Sequence, residues 1–142
     1  MLYRRLDERD FVRFRLRGRL TAQDGDGIRA VIAEIKRLPD RRCLIDLTEL
    51  EFIDSAGIGM LLVTNGETMA AGKSLALAGA AGQVQRVIAL TQIAMIVPVH
   101  ASVDDYIAAR VPERVFGAIH PCAPGEDPLA VAARTLSGPR GP

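Results

Sequence analysis

From Val12 the chain alternates. Val12, Phe14 and Leu16 fall on one side and Arg13, Arg15 and Arg17 on the other, as far as Gly18. A period of two marks a strand with one face buried and one face wet. Leu2 to Leu6 carries a shorter strand signal, and Asp7 to Asp10 reads as the turn of a hairpin joining the two. The acids Asp7, Glu8 and Asp10 then stand near enough to offset the arginine stripe. The period changes further on: Ile28, Val31, Ile32, Ile35 and Leu38 recur at helical spacing. Thr21 and Asp24 have the character of a helix start, Gly25 and Gly27 weaken the first turn, and Pro39 ends the helix.

Cys43 to Leu47 is a short, mostly apolar run of the kind an internal strand needs, and Thr48 to Phe52 reads as a turn after it. Helical spacing resumes beyond Ile53-Asp54-Ser55-Ala56-Gly57-Ile58-Gly59, with Ile58, Leu61, Leu62 and Met69 expected on the inner face. Gly72 is placed to end that helix in the left-handed conformation glycine accepts. Leu75 to Ala78 predicts a strand, Val84 to Leu90 a helix, and Met95 to Val99 a last strand that Pro98 confines to an edge. Val103 to Ala109 predicts a fourth helix, capped by Ser102. Strands and helices thus alternate after the hairpin, which predicts an α/β domain with a mixed, largely parallel sheet. Four prolines lie between Pro112 and Pro128, and the chain ends Gly138-Pro139-Arg140-Gly141-Pro142. The expected division is a domain over 1–111 and a Pro/Gly-rich extension over 112–142, partly disordered or with one short helix from Leu129 to Leu136.

Composition narrows the function classes. The 142 residues are 49% hydrophobic but only 4% aromatic, without Trp, so aliphatic side chains must fill the core. Eighteen basic and 17 acidic residues leave a net charge of +1, which does not nominate nucleic acid as a direct partner. No apolar run approaches the roughly 20 residues of a membrane span, and MLYRRLDERD lacks the apolar core of a signal peptide. A cytoplasmic protein is the expectation. Cys43, Cys122, His100 and His120 are too few and too scattered for a disulfide framework or a tetrahedral zinc site. No nucleophile motif matches the histidines, so neither catalytic residues, nor a cofactor, nor a metal is expected. Gly66 to Ser74 imitates a phosphate-binding loop, but it has five residues between its glycines where that loop has four, and it follows a helix instead of a strand.

What remains is Asp54-Ser55-Ala56-Gly57, a strand-to-helix junction. Ser55 is expected to cap the helix by accepting a hydrogen bond from an amide of the first turn. A hydroxyl there also points outward. A phosphate on it would add about −1.5 to −2 charges beside the positive end of the helix, which the fold can tolerate while the surface changes.

Residues Cys43 to Gly59, CLIDLTELEFIDSAGIG, resemble the signature of the STAS domain family, which includes bacterial anti-sigma factor antagonists and the cytoplasmic domains of sulfate transporters. The resemblance rests on the strand ending in Asp46-Leu47, then Leu50, Phe52, Asp54, Ser55, Gly57 and Gly59, and with the order of elements it extends over about Leu2 to Val111. It implies a mixed sheet of four or five strands with about four helices packed mainly on one face. It further implies that Ser55 is a phosphoacceptor in a partner switch. The unphosphorylated protein binds an anti-sigma factor that is also a serine protein kinase, phosphorylation breaks the complex, and a phosphatase restores it. The partner-facing residues implied are Asp54, Ala56, Gly57, Ile58 and Gly59, with Arg19 and Thr21 from the loop after the second strand. That loop reads Gly18-Arg19-Leu20-Thr21 where antagonists often carry Gly-Glu-Leu-Asp. The alternative implied is a non-switching STAS subunit of a larger complex, such as a lipid ABC transporter or a stress-signalling assembly; a homodimer is left open.

Overall fold

The computed structural model describes residues 1–109, of which Met1–Tyr106 form one compact unit. The order is β1 (Leu2–Asp7), β2 (Val12–Leu20), α1 (Gly25–Arg37), β3 (Arg42–Ile53), α2 (Ser55–Ala70), β4 (Ser74–Ala78), α3 (Gly82–Thr91), β5 (Val99–His100) and α4 (residues 103–109). The five strands make one sheet in the order β1-β2-β3-β4-β5. β1 and β2 are antiparallel, with Asp7 opposite Val12, and every later pairing is parallel. The expected mixed sheet is therefore present, hairpin included.

Alternation along the strands assigns the two faces. Val12, Phe14, Leu16, Cys43, Ile45, Leu47, Leu75 and Leu77 are buried in one cluster with Ile28, Val31 and Ile35 of α1, Ile58 and Leu61 of α2, and Val84 and Ile88 of α3. Three helices thus cover one face. The reverse face carries a smaller cluster of Phe11, Leu44, Ala76 and Ala78 under Tyr106 of α4, and beside it the arginines of β2. Two of these are neutralised, and from more directions than the hairpin turn alone: Arg13 pairs with Glu8 at 3.0 Å, and Arg15 with Asp46 at 3.2 Å and Glu49 at 3.6 Å.

Three sequence expectations are corrected. Thr48 to Phe52 is not a turn, because β3 runs unbroken to Ile53 and stays paired with β2 through Leu20↔Ile53. Register shifts between Arg15 and Arg17 and between Gly18 and Arg19 let Leu50 and Ile53 regain the core face. Met95 to Val99 is not a full strand. Gln92 adopts a left-handed conformation (φ 56°), a 3-10 turn spans Ile93–Met95, and only Val99–His100 pair. Pro98 has no amide hydrogen for a ladder, although its carbonyl accepts from Leu77 N at 2.9 Å. Met69 is not on the inner face of α2 but 63% exposed; Thr64, Asn65 and Thr68 are buried instead. Thr64 and Thr68 satisfy their hydroxyls by donating to the carbonyls of Met60 and Thr64, one turn back, at 2.7 and 2.6 Å.

Candidate functional site

The C-terminal ends of β2 and β3 meet the start of α2. Leu20 and Ile53 are the last register pair, and the next residue, Asp54, donates its N–H to the carbonyl of Leu20 at 3.4 Å. Asp54 then leaves the sheet in an extended conformation and caps α2: its Oδ1 accepts from Gly57 N at 2.8 Å. The cap is therefore Asp54 and not Ser55, a shift of one residue. Asp and Ser are equally good caps, and the geometry of Gly57 N decides between them. Ser55 becomes the first residue of the helix, exposed, with no hydrogen bond from its hydroxyl to any described residue.

Gly57 and Ile58 face inward. A Cβ on Gly57 would stand 2.5 Å from the carbonyl oxygen of Leu20 and 2.6 Å from Ile53 Cγ1, so the close approach this glycine permits is to the protein's own backbone. Ala56 and Gly59 are half-buried, and the space where a Gly59 side chain would lie is open for 4 Å. Gly59 and Val63 follow Ser55 at helical spacing, then Gly66, and Val63 is 57% exposed. Glu67 is the one charged residue in the whole of α2. A helix with apolar or small side chains on its outer face as well as its inner one is suited to docking.

The segment Gly18-Arg19-Leu20, read from the sequence as a loop, is the end of β2, and it lies with Thr21 at the same end of the sheet. Arg19 is exposed and stacks its guanidinium over the ring of Phe52, 4.1 Å from the centroid. Thr21 is committed to a capping box: its backbone N–H donates to Asp24 Oδ2 at 2.8 Å, and its hydroxyl accepts from Gln23 N at 3.4 Å. It caps a 3-10 turn over Ala22–Asp24, after which α1 begins at Gly25. The sequence reasoning missed Gln83. Its side-chain amide donates to Ile53 O at 2.8 Å and accepts from Ile53 N at 3.0 Å, thirty residues away along the chain. No local pattern announces such a contact.

Other sequence candidates take structural places. Gly72 has φ +77° in the turn between α2 and β4, and Lys73 donates to the carbonyls of Ile35 and Leu38, closing the end of α1. That lysine holds no phosphate loop together. Cys43 is buried, and burial pushes its thiol up to about 11. A thiol so rarely ionised is a poor nucleophile. In the native protein at neutral pH, Cys43 should resist maleimide, and full labelling should appear only in denaturant; peptide mass mapping would check it, with rapid native labelling the contrary result. His100 stacks edge-on against Tyr106 at 5.4 Å and lines a groove of about 570 Å³ between α3 and β5, among Ala80, Gln85, Ile88 and Met95. No group of three His, Cys, Asp or Glu among the described residues is arranged to hold a metal. No helix among the described residues is long and apolar enough to cross a membrane. His120, Cys122 and the extension over 112–142 lie outside the described residues.

Comparison with known proteins agrees with this fold. Residues 5–106 match the family model of the STAS domain. An anti-sigma factor antagonist from Mycobacterium paratuberculosis superposes with a TM-score of 0.66 at 20% identity, over 76% of this chain and 92% of that one. The phosphorylated form of the Bacillus cell fate determinant SpoIIAA gives 0.56 at 22% identity, over 76% and 98% of the two chains. The STAS domain of a SulP transporter from Vibrio cholerae gives 0.59 at 15% identity, over 76% and 86%. A search of curated protein sequences finds no match.

Proposed function

Since the chain belongs to the STAS domain family, we propose that it is a cytoplasmic anti-sigma factor antagonist, switched by phosphorylation of Ser55. Its partner is an anti-sigma factor that is also a serine protein kinase, and a phosphatase resets it. The observation that carries this reading is the exposed hydroxyl of Ser55, unbonded among the described residues, at the head of a helix whose outer face is nearly uncharged. Solved structures of SpoIIAA in its unphosphorylated and phosphorylated forms are among the similar folds, which supports the choice.

The chemistry follows from the placement. Without phosphate, Ser55 is a small neutral group at the start of the stripe through Gly59 and Val63, on which a partner can pack closely. A phosphate there sets about two negative charges next to Asp54, whose carboxylate is held at Gly57 N. The positive end of α2 tolerates the added charge, so the domain stays folded. A partner, however, would have to bury two neighbouring anions, and like charges and their desolvation oppose that. Exposed Arg19 and half-buried Ala56 and Gly59 join the contact, while Gly57 and Ile58 support it from beneath.

Binding of Ser55→Ala and Ser55→Asp to the host's anti-sigma serine kinase, measured by calorimetry, tests the reading. Ser55→Ala should bind within about twofold of the wild type and Ser55→Asp at least about tenfold more weakly. Equal affinities, with no phosphate on Ser55 by mass spectrometry after incubation with kinase and ATP, would remove the switch. That outcome would favour the second reading, a non-switching STAS subunit of a larger complex, which the likeness to transporter STAS domains supports.

A further inference from the structure

We infer that Gln83 is a positioning residue for the Ser55 junction, a side chain that stands in for a missing strand. β3 outruns β4: their pairing stops at Asp46↔Ala78, seven residues before β3 ends at Ile53. On the β2 side the ladder continues to Leu20↔Ile53, and Asp54 N reaches the Leu20 carbonyl. On the other side no strand is present for Ile53 among the described residues. Gln83, in the first turn of α3, fills that vacancy: its amide gives one hydrogen bond to Ile53 O and takes one from Ile53 N, at 2.8 and 3.0 Å. A residue of a neighbouring antiparallel strand would exchange the same two bonds. Ile53 is fully buried, so water is not at hand to replace them.

The end of β3 is thereby stitched on both edges, by Leu20 at Asp54 and by Gln83 at Ile53. Asp54 and Ser55 follow at once, so the direction in which Ser55 leaves the sheet is set by this pair of contacts. The geometry stands alone; its purpose rests on the switch reading.

Amide exchange on the full chain, with NMR detection, tests it. A through-hydrogen-bond coupling between Ile53 N and the side-chain carbonyl of Gln83 should be seen in the wild type, a signal that packing alone does not produce. Gln83→Met keeps the volume and removes both bonds; the hydrogen-bonded amides of Ile53, Asp54 and Gly57 should then exchange at least about tenfold faster, while those of the central β2–β3 ladder hold. Gln83→Glu retains only the acceptor and should fall between. Absence of the coupling, or equal exchange in all three proteins, overturns the inference. Partner binding separates the two claims. If Ser55→Ala and Ser55→Asp bind alike, the switch fails, whereas the exchange series still decides whether Gln83 holds the junction. If the switch holds, Gln83→Met should weaken kinase binding severalfold, and unchanged binding would deny Gln83 its positioning role.

Discussion

Gly57→Ala should lower the unfolding free energy by about 3 kcal/mol. The added methyl would meet Leu20 O at 2.5 Å, Ile53 Cγ1 at 2.6 Å and Leu20 Cγ at 3.1 Å. None of these can move cheaply. The Leu20 carbonyl already accepts from Asp54, and Ile53 is gripped by Gln83. Alanine does favour the helical state, by about 1 kcal/mol over glycine in a helix interior, but that gain is smaller than the collision. Gly59 supplies the control, two residues along the same helix. Its Cβ would touch nothing within 4 Å, so Gly59→Ala should stabilise the protein by about 0.5–1 kcal/mol. Urea midpoints of the two variants should therefore move in opposite directions. A shift of the same sign and size in both would refute a steric role for Gly57.

Asp46→Ala should cost about 2–3 kcal/mol. The carboxylate is only 1% exposed and sits on the reverse face of β3, two residues beyond the buried Leu44. Its Oδ1 accepts from Thr48 N at 2.9 Å and from the Thr48 hydroxyl, and its Oδ2 from Arg15 Nε at 3.2 Å, with Arg13 Nε 3.9 Å away. Removing it takes one acid from each of two guanidiniums, leaving Arg13 with Glu8 and Arg15 with Glu49, and deprives the Thr48 amide of its acceptor. Loss of one partner from a fully buried ion pair costs about 3–5 kcal/mol; the arginines here keep 18% and 29% of their surface in water, which moderates the figure. Asp46→Asn retains an acceptor for Thr48 without the charge and should fall between wild type and alanine. Chemical denaturation of the three proteins checks that order, and an alanine variant as stable as the wild type would show the network to be idle.

The residues that made the fold legible are those whose periodicity survives packing. The alternation from Val12 to Leu16 and the stripe from Ile28 to Ile35 both map onto the buried cluster. Gly72 and Ser102 also act as their chemistry suggests: Gly72 turns left-handed, and Ser102 Oγ accepts from Asp105 N at 3.0 Å. β3 was obscured because Thr48, Glu49 and Glu51 face water and the register shifts break the period, so a continuous strand resembles a turn. In α2 the difficulty is the reverse. Apolar residues lie on both faces, and Thr64 and Thr68 turn inward with their hydroxyls satisfied by the preceding turn, so no apolar stripe singles out the inner side. At the site, the Asp-Ser pair and its junction were readable. The choice of Asp54 as cap and the grip of Gln83 were not, since both depend on where a distant or adjacent amide comes to rest.

β1 is an outermost strand, and its outer edge is free to pair among the described residues. At its middle stand Arg4 and Arg5; Arg5 is tied to Glu34 at 2.9 Å, while Arg4 has no acidic partner among the described residues. A second molecule adding to this edge by antiparallel two-fold symmetry would bring Arg4 of each copy against Arg4 or Arg5 of the other, within about 5 Å across the new ladder. Such guanidinium crowding opposes edge-to-edge pairing of two copies in this register. Arg4 and Arg5 thus give the outer edge of β1 a charge that disfavours pairing with its own copy.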